Sequence, residues 1–576
     1  MVAAAQPGTD DGPEPRAERR RAQRRRRLVA SVVVLVLLAA AGAAAGVAAV
    51  GTGHATGQRA SGGVRRGPGS TASAARVFLG PQGVESTAVV AENRRAGTRS
   101  WQIPDSGAPA GTIEGFADRD YAAAGDTVDL YVSTSAPSFT VIAYRMGWYG
   151  GTGARQVWQS PPVPGVVQPP CPLTPGINMV ACDGWARSLA VPVTRAFVPG
   201  DYLLKLVGSG GQESYVLLVV WDPASTATYL VMARTFTEAA WNTFGGYSFY
   251  QGTGPCPPGS SGYPVCNRAR VASLDRPMTG GHGASDFLSN EYPLVRFAEQ
   301  HGLDVTYCTD ITLDEHPGFA LDHKALLSLG HDEMWSDNER EAAQQAFDHG
   351  VNMVFFGAAA VLRHTRLQAS PLGPDREVVD YRDSTEDPLN GKGDPKQVTG
   401  NTWSSPPASW PETGFVGQVY AGYLLPTTPA VPLVVSDASA WLYRGTGLHD
   451  GDTVPRVVVS DIDHLDPGPT MPSDIEVLAH SPVSLAGAYT NQGKWDGRTY
   501  SDVTYYTSAT SRAGVFDGGT VNWVDTLAPC PAGATACPGA VMGTLTGNLL
   551  WLFGQGPAGT ILPSKANWQS VTPAGS

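Results

Sequence analysis

The chain lacks the short motifs that mark several large enzyme classes. Its 576 residues contain no Gly-x-Ser-x-Gly, no Walker-type phosphate loop and no His-Glu-x-x-His. These absences remove the better-marked hydrolases and nucleotide-binding proteins from the candidate functions.

Positive charge is scarce after residue 76. The whole chain has a formal net charge of −12, and residues 1–27 carry eight arginines against four acids, while residues 51–76 carry four arginines and no acid. Residues 77–576 therefore have a net charge of −20. Because the phosphates of nucleic acids attract the opposite sign, we expect no nucleic-acid partner.

Charge of either sign is absent from residues 28–50. A helix of this length rises roughly 34 Å at about 1.5 Å per residue, which is enough to cross a hydrocarbon core of about 30 Å. The sequence therefore predicts a single-pass cell-membrane protein, with a basic cytoplasmic tail at 1–27, a transmembrane helix in the lipid bilayer at 28–50 and an extracytoplasmic body. A cleaved signal peptide is the alternative, although its apolar core would span only about 7 to 15 residues.

Cysteine is scarce as well, but six of the seven cysteines form close pairs. The pairs are Cys171 with Cys182, Cys256 with Cys266, and Cys530 with Cys537. In Pro- and Gly-rich stretches of an exported chain, such pairs predict local disulfides. Zinc is the alternative, but no pair has the two-to-four-residue gap of a zinc knuckle. The seventh, Cys308, is expected to be a buried thiol.

Two folded regions are expected after residues 51–76, which are rich in Gly, Ser, Thr and Ala and predict a flexible linker. Residues 77–222 alternate with period two between turn residues, which indicates an antiparallel β-sandwich domain. In residues 223–576, short apolar runs alternate with amphipathic segments, which indicates an α/β domain with a parallel sheet covered on both faces. The expected fold class is therefore α/β plus all-β, with antiparallel additions near the end of the chain.

Two helices of the second region have clear signals. Ser336 and Glu339 match a capping box, and Gly350 is placed to end that helix. The late apolar segment at residues 539–556 contains Gly and Thr, so we expect a core helix there rather than a second membrane span.

The segment "LLSLGHDEMWS" places His331, Asp332 and Glu333 directly after a predicted parallel strand. Ligands of open parallel sheets bind beyond the carboxyl ends of the strands. Alternate side chains of an extended segment point the same way, so His331 and Glu333 are expected to face one crevice while Asp332 turns away. An imidazole beside a carboxylate can hold a metal or act as a general base with an orienting partner. The alternative is that the acids only lead into the helix that begins at Ser336.

Six segments, taken in chain order, carry a family resemblance. They are "YRMGWYGGTGAR" (144–155), "AAWNTFGGYSFY" (239–250), "VASLDRP" (271–277), "NEYPLVRFAEQHGLDVTYCTD" (290–310), "LSLGHDEMWS" (327–336) and "VNMVFFGA" (351–358). Together they resemble the large, or beta, subunit family of N,N-dimethylformamidase. The resemblance implies a sandwich domain followed by a glutamine-amidotransferase-like α/β domain. It also implies a mononuclear iron, held by two tyrosines and one glutamate, that activates water to hydrolyse an amide C–N bond.

The resemblance assigns roles to the strand-end pair. Glu333 matches the metal-ligating carboxylate, and His331 matches its neighbour in the pocket. Both are therefore the expected catalytic residues.

The tyrosine ligands of the family are not matched at their expected places. Those two positions hold Trp241 and Met278. A phenolate oxygen suits a ferric ion, whereas indole offers no lone pair and a thioether is soft. Tyr250 is the predicted phenol ligand, with Tyr247 as the alternative.

Two functions remain open from the sequence. One is an extracytoplasmic, metal-dependent amide hydrolase. The other is a non-catalytic cell-surface protein that keeps the fold and binds a small molecule or a sugar. Aromatic residues near the crevice, such as Trp241 and Trp335, suit ligand binding as well as packing.

The membrane orientation can be tested directly. Because the arginine block precedes the uncharged run, protease added to intact cells whose wall has been removed should digest the body of the chain. Protection of the body under these conditions would show that the orientation is wrong.

Overall fold

The structure, a computed structural model, describes residues 76–104, 112–254, 265–484, 498–530 and 537–571. The predicted cytoplasmic tail and membrane helix, and all but the last residue of the predicted linker, lie outside these ranges. Across the part of the chain that is described, no helix is both long enough and apolar enough to span a bilayer. The described residues form a mixed α/β fold with several sheets.

The first part of the chain is mostly strand, as its period-two pattern predicts. Its elements are β1 (Val77–Leu79), β2 (Val84–Ser86), α1 (Thr87–Asn93), β3 (Ile113–Ala117), β4 (Tyr121–Ala123), β5 (Thr127–Thr134), β6 (Ser138–Met146), β7 (Ala154–Gln159), β8 (Val163–Pro164), β9 (Leu173–Thr174), β10 (Met179–Val180), β11 (Leu189–Pro192), β12 (Gly200–Gly208) and β13 (Glu213–Trp221). The helix α1 was not predicted. Ser86 caps it by accepting a hydrogen bond from the backbone N–H of Ala88.

Two sheets of this part share one apolar core. One has the order β11-β5-β3, and the other has the order β4-β13-β12-β6-β7, with β8 paired to β6. Val128 and Leu130 of the first sheet pack against Val141, Leu204 and Leu218 of the second. Successive side chains of a strand point to opposite faces. The second sheet is therefore free to pack its other face against the rest of the protein.

The second part alternates strands and helices. Its elements are β14 (Tyr229–Ala233), α2 (Thr235–Trp241), β15 (Val271–Ser273), α3 (Phe287–Asn290), α4 (Tyr292–Gln300), β16 (Val305–Thr309), α5 (Asp310–Glu315), β17 (Ala325–Gly330), β18 (Met334–Ser336), α6 (Asp337–Asp348), β19 (Asn352–Gly357), β20 (Arg363–Ser370), β21 (Gly373–Val379), β22 (Val419–Tyr423), β23 (Val431–Val434), β24 (Thr453–Val458), β25 (Asp461–His464), β26 (Glu476–Ser484), β27 (Arg498–Thr507), β28 (Gly514–Asp517), α7 (Gly539–Phe553) and α8 (Trp568–Val571).

A seven-stranded sheet organises this part, in the order β16-β14-β17-β19-β28-β27-β26. The first five strands are parallel, and β27 and β26 are antiparallel additions. Neighbouring residues of one strand serve different cores. Leu327 packs in the core that contains Leu545 of α7, and Leu326 packs in the core that contains Phe347 of α6. Both faces of the parallel strands are thus covered, which explains their continuous apolar runs.

Both predicted helix signals are confirmed. The Ser336 hydroxyl accepts a hydrogen bond from the Glu339 backbone N–H at 3.1 Å, and the Glu339 carboxylate accepts one from the Ser336 backbone N–H at 3.2 Å. The late helix α7 is a core helix, because Met542 and Leu549 on it are fully buried.

A buried ion pair joins the two parts. The Arg145 guanidinium of β6 contacts the Glu299 carboxylate of α4 at 2.6 Å, and both side chains are almost fully buried. The Tyr307 hydroxyl also donates to Glu299, at 2.8 Å. Because removing one member would leave the other charge buried without its partner, this pair fixes how α4 lies on the sheet.

Two of the predicted disulfides are present, Cys171–Cys182 and Cys530–Cys537, and Cys308 is a buried free thiol. Cys256 lies outside the described residues, so its pairing with Cys266 stays a prediction. Each disulfide closes a short loop and is expected to stabilise the fold by about 2 to 3 kcal/mol.

The thiol assignments have a direct chemical test. A non-reduced digest should give peptides linked through Cys171–Cys182 and Cys530–Cys537, and only Cys308 should react with a thiol reagent after unfolding. If mass spectrometry found the four paired cysteines as free thiols, the predicted export of the chain would also lose its support.

Candidate functional site

The site lies where the parallel strands β17 and β19 end side by side. Gly330 pairs with Gly357 in this register. Gly330 has a positive φ of 59°, and a Cβ added at Gly357 would lie 1.3 Å from the carbonyl oxygen of Gly330. Two glycines therefore allow the strands to end in close contact, and the chain leaves β17 toward the crevice that parallel sheets form at this edge.

The structure brings His331 and Glu333 together. His331 Nε2 lies 3.4 Å from Glu333 Oε2, and the two residues are only 8 % and 3 % exposed. Asp332 turns away, because its carboxylate accepts a hydrogen bond from the Ser328 hydroxyl at 2.7 Å. Burial raises the pKa of the Asp332 carboxyl to about 6.

Both oxygens of the Glu333 carboxylate are engaged by side chains of this protein. Oε1 accepts a hydrogen bond from the Tyr250 hydroxyl and lies 3.2 Å from Nε of Arg363. Oε2 accepts a hydrogen bond from the Trp241 indole N–H at 3.2 Å and faces His331. A buried carboxylate is tolerated when its charge is paired and its lone pairs are used, and both conditions hold here.

Helix α2 positions Trp241 against this carboxylate. Thr237 lies one turn before Trp241, and its hydroxyl oxygen accepts hydrogen bonds from the backbone N–H groups of Glu333 and Met334, each at 3.0 Å. Residues four apart share a helix face. The helix therefore fixes both the main chain and the side chain of Glu333.

A three-layer stack closes one side of the site. The Tyr250 ring is stacked on Trp241, with ring centroids 3.8 Å apart and planes inclined by 13°. The Arg382 guanidinium lies 4.0 Å from the centroid of the same Tyr250 ring. Two groups this close to one ring cannot share a face, so Tyr250 lies between Trp241 and Arg382. Trp241 is 37 % exposed and forms the solvent edge of the site.

The electrostatics of the site favour an ionised Glu333. Burial raises the pKa of the Glu333 carboxyl, but His331, Arg363 and Arg382 lower it by more, so that it lies below its usual value. Burial and the neighbouring Glu333 hold the pKa of the Tyr250 phenol well above its usual value, against the opposing effect of Arg382. At neutral pH the site therefore contains a carboxylate and a neutral phenol.

The sequence did not predict that Arg363 and Arg382 belong to this site. Arg363 opens β20, and Arg382 follows β21 with a positive φ of 55°. Neither belongs to a motif, and each lies far along the chain from the group that it contacts. The sequence patterns described above contain no signal for either residue.

The other predicted phenol and the methionine lie elsewhere. The Tyr247 hydroxyl accepts a hydrogen bond from Thr253 at 2.6 Å, and Met278 lines a separate cavity. For these two described residues, no hydrogen bond, ion pair or ring contact reaches Glu333. Tyr250 is thus the predicted phenol that contacts the carboxylate.

The donor set around Glu333 does not fit an iron held by two phenolates and one carboxylate. Trp241 presents an N–H donor where a phenolate is expected, and a donor cannot be a metal ligand. Arg363 places a positive charge 3.2 Å from the carboxylate oxygen that would bind a cation. Among the described residues, no three or more His, Cys, Asp or Glu side chains form a group that could hold a metal ion.

The fold and the site define a class of protein: a mixed α/β protein with a buried glutamate, histidine and arginine at the carboxyl end of its parallel strands. A family model described as "N,N-dimethylformamidase beta subunit-like, C-terminal" matches residues 140–536, which is more than half of the chain. The chain belongs to this family, and the resemblance seen in its segments is confirmed. No curated protein matches the chain.

The ion pair at the site can be tested by Glu333→Gln, which keeps the volume and removes the charge. Arg363 would then be buried without its carboxylate, so the free energy of unfolding should fall by about 3 kcal/mol. Glu341→Gln is the matched control, because Glu341 pairs with Lys396 at the surface and its loss should change stability by less than about 0.5 kcal/mol. Urea unfolding of the two variants measures both effects. Equal free energies of unfolding for Glu333→Gln and Glu341→Gln would contradict the proposed dependence of Arg363 on Glu333.

The pH dependence of this difference has a defined sign. The folded-state pKa of Glu333 lies below its usual value of 4.5. Its contribution to stability is therefore fully present above that value and is lost as the pH falls through the lower folded-state pKa. The stability difference between the wild type and Glu333→Gln should be constant near neutral pH and should shrink in acid. A difference that grew in acid would contradict this assignment.

Proposed function

We propose that this protein is a membrane-anchored, extracytoplasmic member of the N,N-dimethylformamidase beta subunit-like family that binds a small organic ligand at the Glu333 site. One observation carries the proposal. The Glu333 carboxylate is fully engaged by Tyr250, Trp241, Arg363 and His331. A carboxylate held in this way orients neighbouring groups and has no free oxygen for iron.

The ligand chemistry follows from the exposed edge of the site. The Trp241 indole is partly open to solvent, and its stacking on Tyr250 holds it rigidly. A ligand with an apolar face would pack against this indole, as small amides and the apolar faces of sugars do.

Amide hydrolysis is the second candidate function, and two observations favour it. The family is that of an amide hydrolase by its name, and the His331–Glu333 pair is retained with a separation of 3.4 Å. The low pKa of Glu333 makes that carboxylate a weak base. In this hypothesis His331 would take the proton from water and Glu333 would orient the imidazole.

The proposed location of the protein rests on two features of the chain. The uncharged run at 28–50 and the preceding arginines support a membrane anchor with the body outside. The two disulfides support an oxidising compartment, since such bonds are rare in the cytosol. The glutamine-amidotransferase-like character of residues 223–576 is part of the same proposal.

Metal content separates this protein from an iron-dependent amidase. Because the donor set around Glu333 is mismatched, the full chain purified in detergent without chelator should contain far less than one atom of iron, zinc or manganese per chain. Elemental analysis measures this directly. A content near one atom per chain that Glu333→Gln abolished would overturn the proposed arrangement.

Binding and hydrolysis can be separated with N,N-dimethylformamide and glucose as probes. The proposal expects one of them to change the tryptophan fluorescence of the full chain in a saturable way, without release of amine from the amide. Trp241→Ala should abolish the change, and Trp148→Ala, a substitution of a half-buried tryptophan that contacts Arg296 instead, should preserve it. Amine release that His331→Ala removed would establish hydrolysis and overturn the binding function.

A further inference from the structure

A second cavity lies between the six-stranded sheet of the first part and helix α2. Its interior offers about 60 Å³ to the centre of a water-sized molecule, which is room for a ligand of a few heavy atoms. Strands β3, β12 and β13 line one side, and residues from β14 to α4 line the other. Nothing in the proposed function at Glu333 uses this cavity, although the two sites share helix α2.

Carboxyl groups dominate the polar wall of this cavity. Asp201 of β12, Glu238 of α2 and Glu291 at the start of α4 all line it, and each is no more than 5 % exposed. Acids from three separate elements thus meet in one enclosed space. An isolated charge in such a space is costly, so each of these carboxyl groups needs either a positive partner or a proton.

The arginines of the wall do not neutralise all three acids. The Arg234 guanidinium binds Asp286, lies 3.2 Å from a Glu291 oxygen and is 4.0 Å from a Glu238 oxygen. One positive charge is therefore shared among three carboxyl groups. The second arginine, Arg276, donates to four backbone carbonyl oxygens, those of Ser273, Phe244, Tyr247 and Asn242.

Glu238 is held least firmly, because Arg234 lies 4.0 Å from its Oε1 atom, beyond hydrogen-bond distance. Its side chain is 5 % exposed, and within the described residues its Oε1 atom has no hydrogen-bond partner. Buried side-chain oxygens in native proteins are nearly always hydrogen-bonded, so an orphaned one calls for an explanation. A donor that occupies the cavity would supply the missing bond.

Burial also favours the protonated forms of these acids. Burial raises the pKa of Asp201 to about 7 and that of Glu291 to about 8, and it raises the pKa of Glu238 well above its usual value. Burial has this effect where too little positive charge is present. A cation in the cavity would reverse it.

Much of the remaining wall is apolar, although Thr235 and Asp120, which pairs with Arg376, also line it. The apolar part indicates the kind of cation that would fit. Phe116, Leu218, Leu274, Met278 and Phe287 line the same space. A hydrated inorganic ion would find no partners on such surfaces, and the described acids do not form a group that could hold a metal ion. An alkyl group, in contrast, would gain by burial there.

We propose that this cavity binds a small organic ammonium ion. Its N–H groups donate to Glu238 and Glu291, and its alkyl part packs against Leu218 and Phe287. Met278 and Gly283 are half-buried members of the wall, as are Asp120, Leu217 and Ala233.

The test uses ethylammonium chloride as the probe, with the full chain in detergent and isothermal titration calorimetry as the measurement. Ethanol matches the probe in size but has no charge, and sodium chloride has the charge without the N–H donors or the alkyl group. Saturable heat with ethylammonium alone supports the proposal. Equal responses to ethanol, or to sodium, would overturn it.

Two variants locate the binding. Glu238→Gln and Glu291→Gln keep the side-chain volume, and each should weaken ethylammonium binding at least about tenfold, as the loss of a charge-assisted hydrogen bond does. Glu341→Gln, the same substitution on the exposed face of α6, should leave the affinity unchanged. If Glu238→Gln failed to fold, Glu291→Gln would decide the matter. Unchanged affinity in a folded Glu238→Gln or Glu291→Gln would overturn the proposal.

Discussion

The buried carboxylate of Glu333 is the constraint on which the site depends. An ionised group that is 3 % exposed needs its charge and its lone pairs matched, and four side chains, three of them from other segments, provide this. Those partners join the end of β17 to α2, to the start of β20 and to the segment that carries Tyr250. The ordering of several loops around the crevice is therefore a consequence of burying one negative charge.

Helix α2 connects that site with the acid-lined cavity. It carries Glu238 toward the cavity and Trp241 toward Glu333, and Arg234, just before the helix, donates to the carbonyl oxygen of His331 at 3.4 Å. The helix has only seven residues, so its two ends cannot move independently. The positions of the two sites are thus set by the same short element.

The two residues that stand where the family resemblance implies tyrosine ligands lie in different surroundings. Trp241 donates a hydrogen bond to Glu333, and Met278 lines the neighbouring cavity. Neither side chain offers the oxygen ligand that a hard metal ion prefers, and each adds apolar surface near a buried acid.

The sequence by itself determined the local features of this protein. Period-two alternation predicts the strands of the first part, and apolar runs predict the parallel strands. Ser336 with Glu339 predicts the cap of α6. Each of these signals lies within a few consecutive residues. The juxtaposition of His331 and Glu333 was predictable for the same reason, since alternate residues of an extended segment share a side. Only the tertiary structure decided that Arg363 and Arg382 join them, and that Asp201 meets Glu238 across a cavity. These contacts unite strands and loops that are far apart in the chain, and no local period records which distant charge a buried carboxylate will pair with.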